Sequence, residues 1–327
     1  MKRWIFLVAA LFLTAADSRT SCADESRVFA PKDAKFLLRL DLQAFRTTAL
    51  GNKLIEIARS KAEQELSAGA EQGGRPNLEK IHEMLGFDPF AEIRTVLVSA
   101  SSYDRPEQSI LVSIGMGKST GNLEGLILAL PGYAMEEYGK YTVHSAAPDN
   151  DMHVFGAIHT DARGDKTVLL AAERDSITRI LDQLDRKPPG DGSFESLKLA
   201  SDEKPILALE VFELPSEMLQ DDHLAGAAKV VRSISLRITE SKDNVNVGIS
   251  LAAGTEQQAE QLRQMAQGLI AMIEFAQSTN PDDEDLKKVQ KVVHDTKVSR
   301  DGSSVKANLT VPVIYLSKMI EEEVGDH

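Results

Sequence analysis

Apolar and polar residues alternate toward the end of Phe-Leu-Leu-Arg-Leu-Asp-Leu at 36–42, which predicts a strand. The spacing then changes. Leu50, Leu54, Ile57 or Ala58, and Ala62 recur every three to four residues, predicting a helix over 47–66. The Gly- and Ala-rich stretch 67–76 predicts a loop, and a short helix over 78–85 stops at Gly86. Strands are expected over 93–101 and 109–115 on either side of a polar turn, followed by a short helix near 122–130. A hairpin of 141–146 with 152–160, a strand over 167–172 and a helix over 175–184 complete this stretch.

The segment Arg-Lys-Pro-Pro-Gly-Asp-Gly at 186–192 denies continuation to helix and strand alike. After it the order of elements begins again. Residues 205–212 take the place of 36–42, and a hairpin of 233–239 with 245–251 matches 93–101 with 109–115. A helix over 256–277 matches 122–130. A second hairpin, 292–299 with 304–311 around the turn Arg300-Asp301-Gly302, matches 141–146 with 152–160. This recurrence predicts an α+β fold of two similar halves, each an antiparallel sheet with helices packed on one face. The expected division is a leader over 1–23, a first repeat over 24–188 and a second over 189–327. Two sheets joined edge to edge into one remain the alternative.

The leader is read from three regions in order. Lys2 and Arg3 are followed by an apolar stretch of 13 residues, 4–16, and then by small residues around Ser21-Cys22-Ala23, which predicts cleavage before Asp24. That stretch falls short of the roughly 20 residues a membrane span needs. No later apolar run is long enough either, so no transmembrane segment is expected after cleavage. A lipid-anchored Cys22 is disfavoured because Arg19 stands where small or apolar residues are required. The expected location is therefore exported, periplasmic or extracellular.

Cleavage would remove the only cysteine, Cys22, and the only tryptophan, Trp4. The remaining 304 residues must then be held by their core without disulfides. Lys2, Arg3 and Arg19 against Asp17 give the leader a net charge of +2, which takes the chain from −13 to −15. That balance argues against nucleic acid and anionic membrane surfaces, both of which need a positive footprint.

Candidate chemistry is sparse. Gly115-Met-Gly-Lys-Ser-Thr120 resembles a phosphate loop, but Val112 stands where the leading glycine belongs. The equivalent turn in the second half, Leu251-Ala-Ala-Gly-Thr-Glu256, has capping-box spacing between Thr255 and Gln258. Both are read as strand-to-helix turns. His144, His153 and His159 share one hairpin, but His153 and His159 stand about 20 Å apart on one strand. Met152, Val154 and Ile158 define the core face, which predicts exposed histidines and no metal site. The acidic run 282–285 lacks calcium-loop spacing and precedes a helix beginning near Leu286. Ser201-Asp-Glu-Lys204 has a Ser-x-x-Lys spacing without its companion motifs. No catalytic, cofactor-binding or metal residue is assigned and no cofactor is expected. Sugar sites favour aromatic platforms, and the cleaved chain has no Trp and five Tyr.

The helix over 256–277 carries the broadest apolar face: Leu262, Met265, Leu269, Ile270, Met272, Ile273 and Ala276, with Phe275 beside it. So wide a stripe predicts a helix lying across the second sheet as core. The functional alternative is a face for an apolar ligand at Leu262, Met265, Leu269, Met272 and Ile273.

The pattern Ala30-Pro-Lys-Asp-Ala-Lys-Phe-Leu-Leu-Arg-Leu-Asp-Leu42, an amphipathic helix, and then Leu85-Gly-Phe-Asp-Pro-Phe-Ala-Glu-Ile-Arg-Thr-Val-Leu-Val98 resembles a group of exported bacterial proteins of unknown function. Those proteins carry a duplicated α+β body behind a signal peptide, and the resemblance implies export and fold only. The expectation is a non-catalytic protein of the periplasm or cell envelope. It would act by binding or assembly on a protein or envelope component. A carrier or sensor for an apolar small molecule is the runner-up, and an exported hydrolase with a spatially assembled site is the third reading.

Overall fold

The computed structural model describes residues 31, 33–57, 60, 86–118, 123–128, 130–149, 152–185, 205–216, 226, 229–241 and 243–318. The leader, the loop over 67–76, the helix over 78–85 and Ser201–Lys204 lie outside them. Two compact units are formed, one from Met1–Ala34 with Arg39–Gly192, the other from Lys35–Leu38 with Ser193–His327.

Strand β1 (Phe36–Asp41) contributes residues to both units. The first unit adds β2 (Ile93–Ala100), β3 (Ile110–Met116), β4 (Ala134–Tyr138), β5 (Tyr141–Asp149), β6 (Met152–Thr160), β7 (Lys166–Ala171) and helix α1 (Arg174–Asp185). The second contains β8 (Pro205–Val211), β9 (Val231–Ser241), β10 (Asn244–Ala253), helix α2 (Glu256–Thr279), helix α3 (Glu284–Val293), β11 (Lys297–Asp301) and β12 (Ser304–Pro312).

The two-sheet expectation is overturned. All twelve strands hydrogen-bond in one antiparallel sheet, in the order β11-β12-β10-β9-β8-β1-β2-β3-β7-β6-β5-β4.

Helices on one face only is overturned as well, by the first unit's own packing. Leu111, Val143, Ala157, Leu169 and Ala171 gather against Ile177, Ile180 and Leu181 of α1. The opposite parity, Val112, Ile114, Met116, Ile158, Val168 and Leu170, packs with Ile93, Val96 and Leu123. Because successive side chains point to opposite sides, these strands are apolar on both faces. β7 shows the reason in its sequence: Thr-Val-Leu-Leu-Ala is a nearly continuous apolar run, the signature of a strand covered on both sides.

The second unit alternates instead. Its register builds three aliphatic rungs across four strands: Leu207, Ile238, Val247, Leu309; then Leu209, Leu236, Ile249, Ala307; then Val211, Ile234, Leu251, Val305. Intervening residues such as Arg237, Ser250 and Asn308 point the other way. Helix α2 covers one end of this apolar face. Its buried Ala259 and Leu262 pack with Val231, Ala253 and Val305, and with Ile234, Leu251 and Val298 of the sheet. Aliphatic side chains of the first two rungs, including Leu236, Ile238, Val247 and Ile249, are half-buried.

Candidate functional site

Thr255 opens α2. Its hydroxyl accepts a hydrogen bond from the Gln258 amide at 3.2 Å, so the capping role read from the sequence is realised. The first turns are polar and internally paired. Arg263 donates to Glu260 at 2.6 and 2.9 Å, and Gln264 donates to the same carboxylate at 3.0 Å. Arg300 stands 3.3 Å from Glu256 and 3.5 Å from Glu260. Hydrogen bonds from Arg263, then Gln264, hold Glu260 at a pKa of about 2. The shallow groove lined by Glu256, Gln257, Glu260, Gln261, Gln264 and Arg300 is thus a surface of neutralised charges.

Beyond Gln264 the helix changes character. From Gln264 to Ile273 it carries no charged residue, in a chain that is 27% charged. Leu262 is 4% exposed, whereas Met265 is 51%, Leu269 60%, Met272 68% and Phe275 69% exposed. At about 100° per residue, the buried Ala259 and Leu262 and the half-buried Ile270 and Ile273 span an arc of about 80°. The four exposed side chains span an adjoining arc of about 120°. The apolar stripe is therefore wider than the surface that covers it, and its uncovered part forms a shoulder along the outer half of the helix.

The predicted face is divided accordingly. Leu262 belongs to the core, Ile273 is half-buried, and Met265, Leu269 and Met272 face solvent. A helix lying as core along its whole length, the reading the stripe favoured, holds for its first turns alone. Phe275, placed beside the face in the sequence, is the most exposed of the four. Gly268 escaped the sequence reading altogether. It sits in mid-helix on the same shoulder, and a Cβ added there would meet nothing within 4 Å among the described residues.

The other candidates resolve into local structure. His144 and His159 were expected to be exposed, but His144 is buried and meets the Tyr133 hydroxyl at 3.1 Å. His159 is half-buried against the Tyr141 hydroxyl at 3.4 Å. The register sets His144 opposite Gly156, three residues from His159, so the two histidines face opposite sides of the sheet. Exposed His153 is as predicted. Among the described residues no group of three His, Cys, Asp or Glu converges to hold a metal. Asp283 accepts a hydrogen bond from the Leu286 amide at 3.1 Å, which makes the acidic run a helix start. Gly115 and Met116 lie in or at the end of β3, and Ser119 and Thr120 lie outside the described residues. No described helix is long and apolar enough to cross a membrane.

No family model matches the chain. No curated protein matches it. Solved structures that it resembles include crystal forms III, IV and I of TP0453, at 11%, 11% and 10% sequence identity with TM-scores of 0.43, 0.46 and 0.41. Each alignment covers 88% of this chain, and 94%, 92% and 93% of the respective structure.

Proposed function

We propose that the chain is an exported, non-catalytic binding protein of the periplasm or cell envelope, and that the apolar shoulder of α2 is its docking surface. The observation that carries this reading is the joint exposure of Met265, Leu269, Met272 and Phe275 on one helix face. Single exposed apolar residues need no explanation, but a contiguous row of large ones marks an interaction surface. Export rests on the leader, and the binding role rests on an exposed apolar surface that carries no charge from Gln264 to Ile273. The test is a photo-crosslinking amino acid in place of Leu269, compared with one at the exposed hairpin residue Gly302. Adducts at 269 above the level at 302 are expected, and equal yields would sink the reading.

A second reading, a carrier for an apolar ligand, has its own support in the half-buried aliphatic rungs beside α2. Native mass spectrometry of the purified protein tests it. A lipid-sized increment that Leu269→Asp abolishes would favour the carrier, and the bare chain mass would count against it.

A further inference from the structure

We infer that the occupant of this shoulder is a second copy of the chain, docked helix to helix about a two-fold axis. The inference rests on the binding reading above and specifies its partner.

From Met265 the positions step by four, three, four and three through Leu269, Met272, Ala276 and Thr279. That is the a/d spacing of a coiled-coil seam, and Leu262 begins the same row but is spent on the core. With two such helices antiparallel and the axis between Ile270 and Ala271, Leu269 meets Met272 of the partner subunit. Met265 then meets Ala276 of the partner subunit, a long side chain against a short one. The flanking positions complement each other as well. Phe275 comes within about half a turn of Gly268 of the partner subunit. Glycine there leaves the hole that the ring fills. A mid-helix glycine weakens a helix relative to alanine, and among the described residues nothing lies within 4 Å of a Cβ added at Gly268 to compensate.

Charge decides between occupants. A helix that lies in an anionic membrane surface is rich in Lys and Arg. Helix α2 has Glu256, Glu260 and Glu274 against Arg263 alone. A charged partner would find no counter-charge between Gln264 and Ile273. A second copy brings the same neutral seam and needs none.

The area is adequate. At their exposures the four side chains offer on the order of 450 Å² of apolar surface, the size of the largest patch on a typical monomer. Two copies bury on the order of 900 Å² from these residues, close to the ~1,000 Å² expected of a specific interface before the rim is added.

Sedimentation velocity of the purified protein over a micromolar range tests the proposal, with Gly268→Glu and Phe275→Ala alongside. The parent is expected to sediment as a dimer. Each variant should raise the dissociation constant at least tenfold, and, at a concentration low enough to dissociate the parent, the thermal midpoint of Gly268→Glu should be held or raised because its new side chain enters open space. A parent that is monomeric throughout, or a Gly268→Glu that dimerises like the parent, overturns the inference. The crosslinker at position 269 separates this from the broader reading. An adduct of twice the chain mass supports the second copy. Adducts of other masses only would overturn the dimer and leave the docking surface standing, and no adduct at all would remove both.

Discussion

Truncating Leu262 and Leu269 to alanine removes the same atoms from the same helix, two turns apart, and the structure demands different consequences. Leu262 is 4% exposed and packs with Val231, Ala253, Ala259 and Val305. Its loss combines the transfer free energy of the deleted atoms with the cavity they leave, about 2.7–5 kcal/mol for buried leucines. Leu269 is 60% exposed. Full burial of such a side chain is worth about 1.5–3 kcal/mol, so the covered fraction contributes roughly 1 kcal/mol at most. No cavity follows, and alanine's higher helix propensity returns a few tenths of a kcal/mol. The two variants should therefore differ by about 2 kcal/mol or more in the monomer. Urea unfolding followed by far-ultraviolet circular dichroism reads this directly, at a protein concentration low enough to exclude association. With a slope of about 3 kcal/mol/M, the Leu262→Ala midpoint should fall at least ~0.7 M below that of Leu269→Ala. Equal losses from the two truncations would mean that Leu269 is covered in solution, and the docking surface would be lost with it.

Two further outcomes follow from the polar end of the same helix. Thr255→Ala removes the hydroxyl that accepts from the Gln258 amide and should lower stability by about 1 kcal/mol, with Thr255→Ser retaining most of it, measured by the same urea transitions. Glu260 has a folded pKa near 2, held down by hydrogen bonds from Arg263 and then Gln264. A depressed carboxylate stabilises the fold above its unfolded pKa of about 4.3, and that contribution is lost as pH falls through about 2. Side-chain carboxyl NMR should show the midpoint near 2 in the parent and a clear rise in Arg263→Gln. An unchanged midpoint in the variant would show that Arg263 is not the cause.

The strands with a clear period were legible from sequence because their alternation or apolar run is imposed by the surface they pack on. β2, β3, β6, β9 and β10 fall close to where the pattern put them. β4 was missed for the same reason in reverse. Ala-Met-Glu-Glu-Tyr is exposed along nearly its whole length, so no core face wrote a period into it. The signal that could have found it is the Gly139-Lys140 turn before Tyr141, where Gly139 has a φ of +61° suited to a tight hairpin. The strand expected from Val292 begins only at Lys297, because Val292 and Val293 end α3, a helix that packs beside α2. Their β-branched character favoured a strand, and helix packing overrode it. The single sheet could not be read from either half alone. A sequence pattern specifies which face of a strand is covered rather than which edges meet, so the strand order is not written in it.

For α2 the bounds and the apolar residues were legible, but their cover was not. Periodicity reports that Leu262 and Leu269 are apolar, and is silent on which of them something else touches. What distinguishes them is the direction of the packed arc, set by Ala259, whose small side chain lets the helix approach β9, β10 and β12 at that point. The shoulder is then hard to attribute to chance. A solvent-facing helix surface ordinarily carries charged pairs at three- and four-residue spacing, as Arg263 and Glu260 do at the start of α2. Continuing that pattern for two more turns would have improved solubility at no cost to the core, since the packed arc lies elsewhere on the helix. Instead the chain places Met, Leu, Met and Phe there and admits a helix-weakening glycine among them. Each choice departs from what an isolated monomer rewards. The same choices agree with one another as soon as a second surface is laid against the helix, and agreement across independent features is what separates a binding face from a leftover.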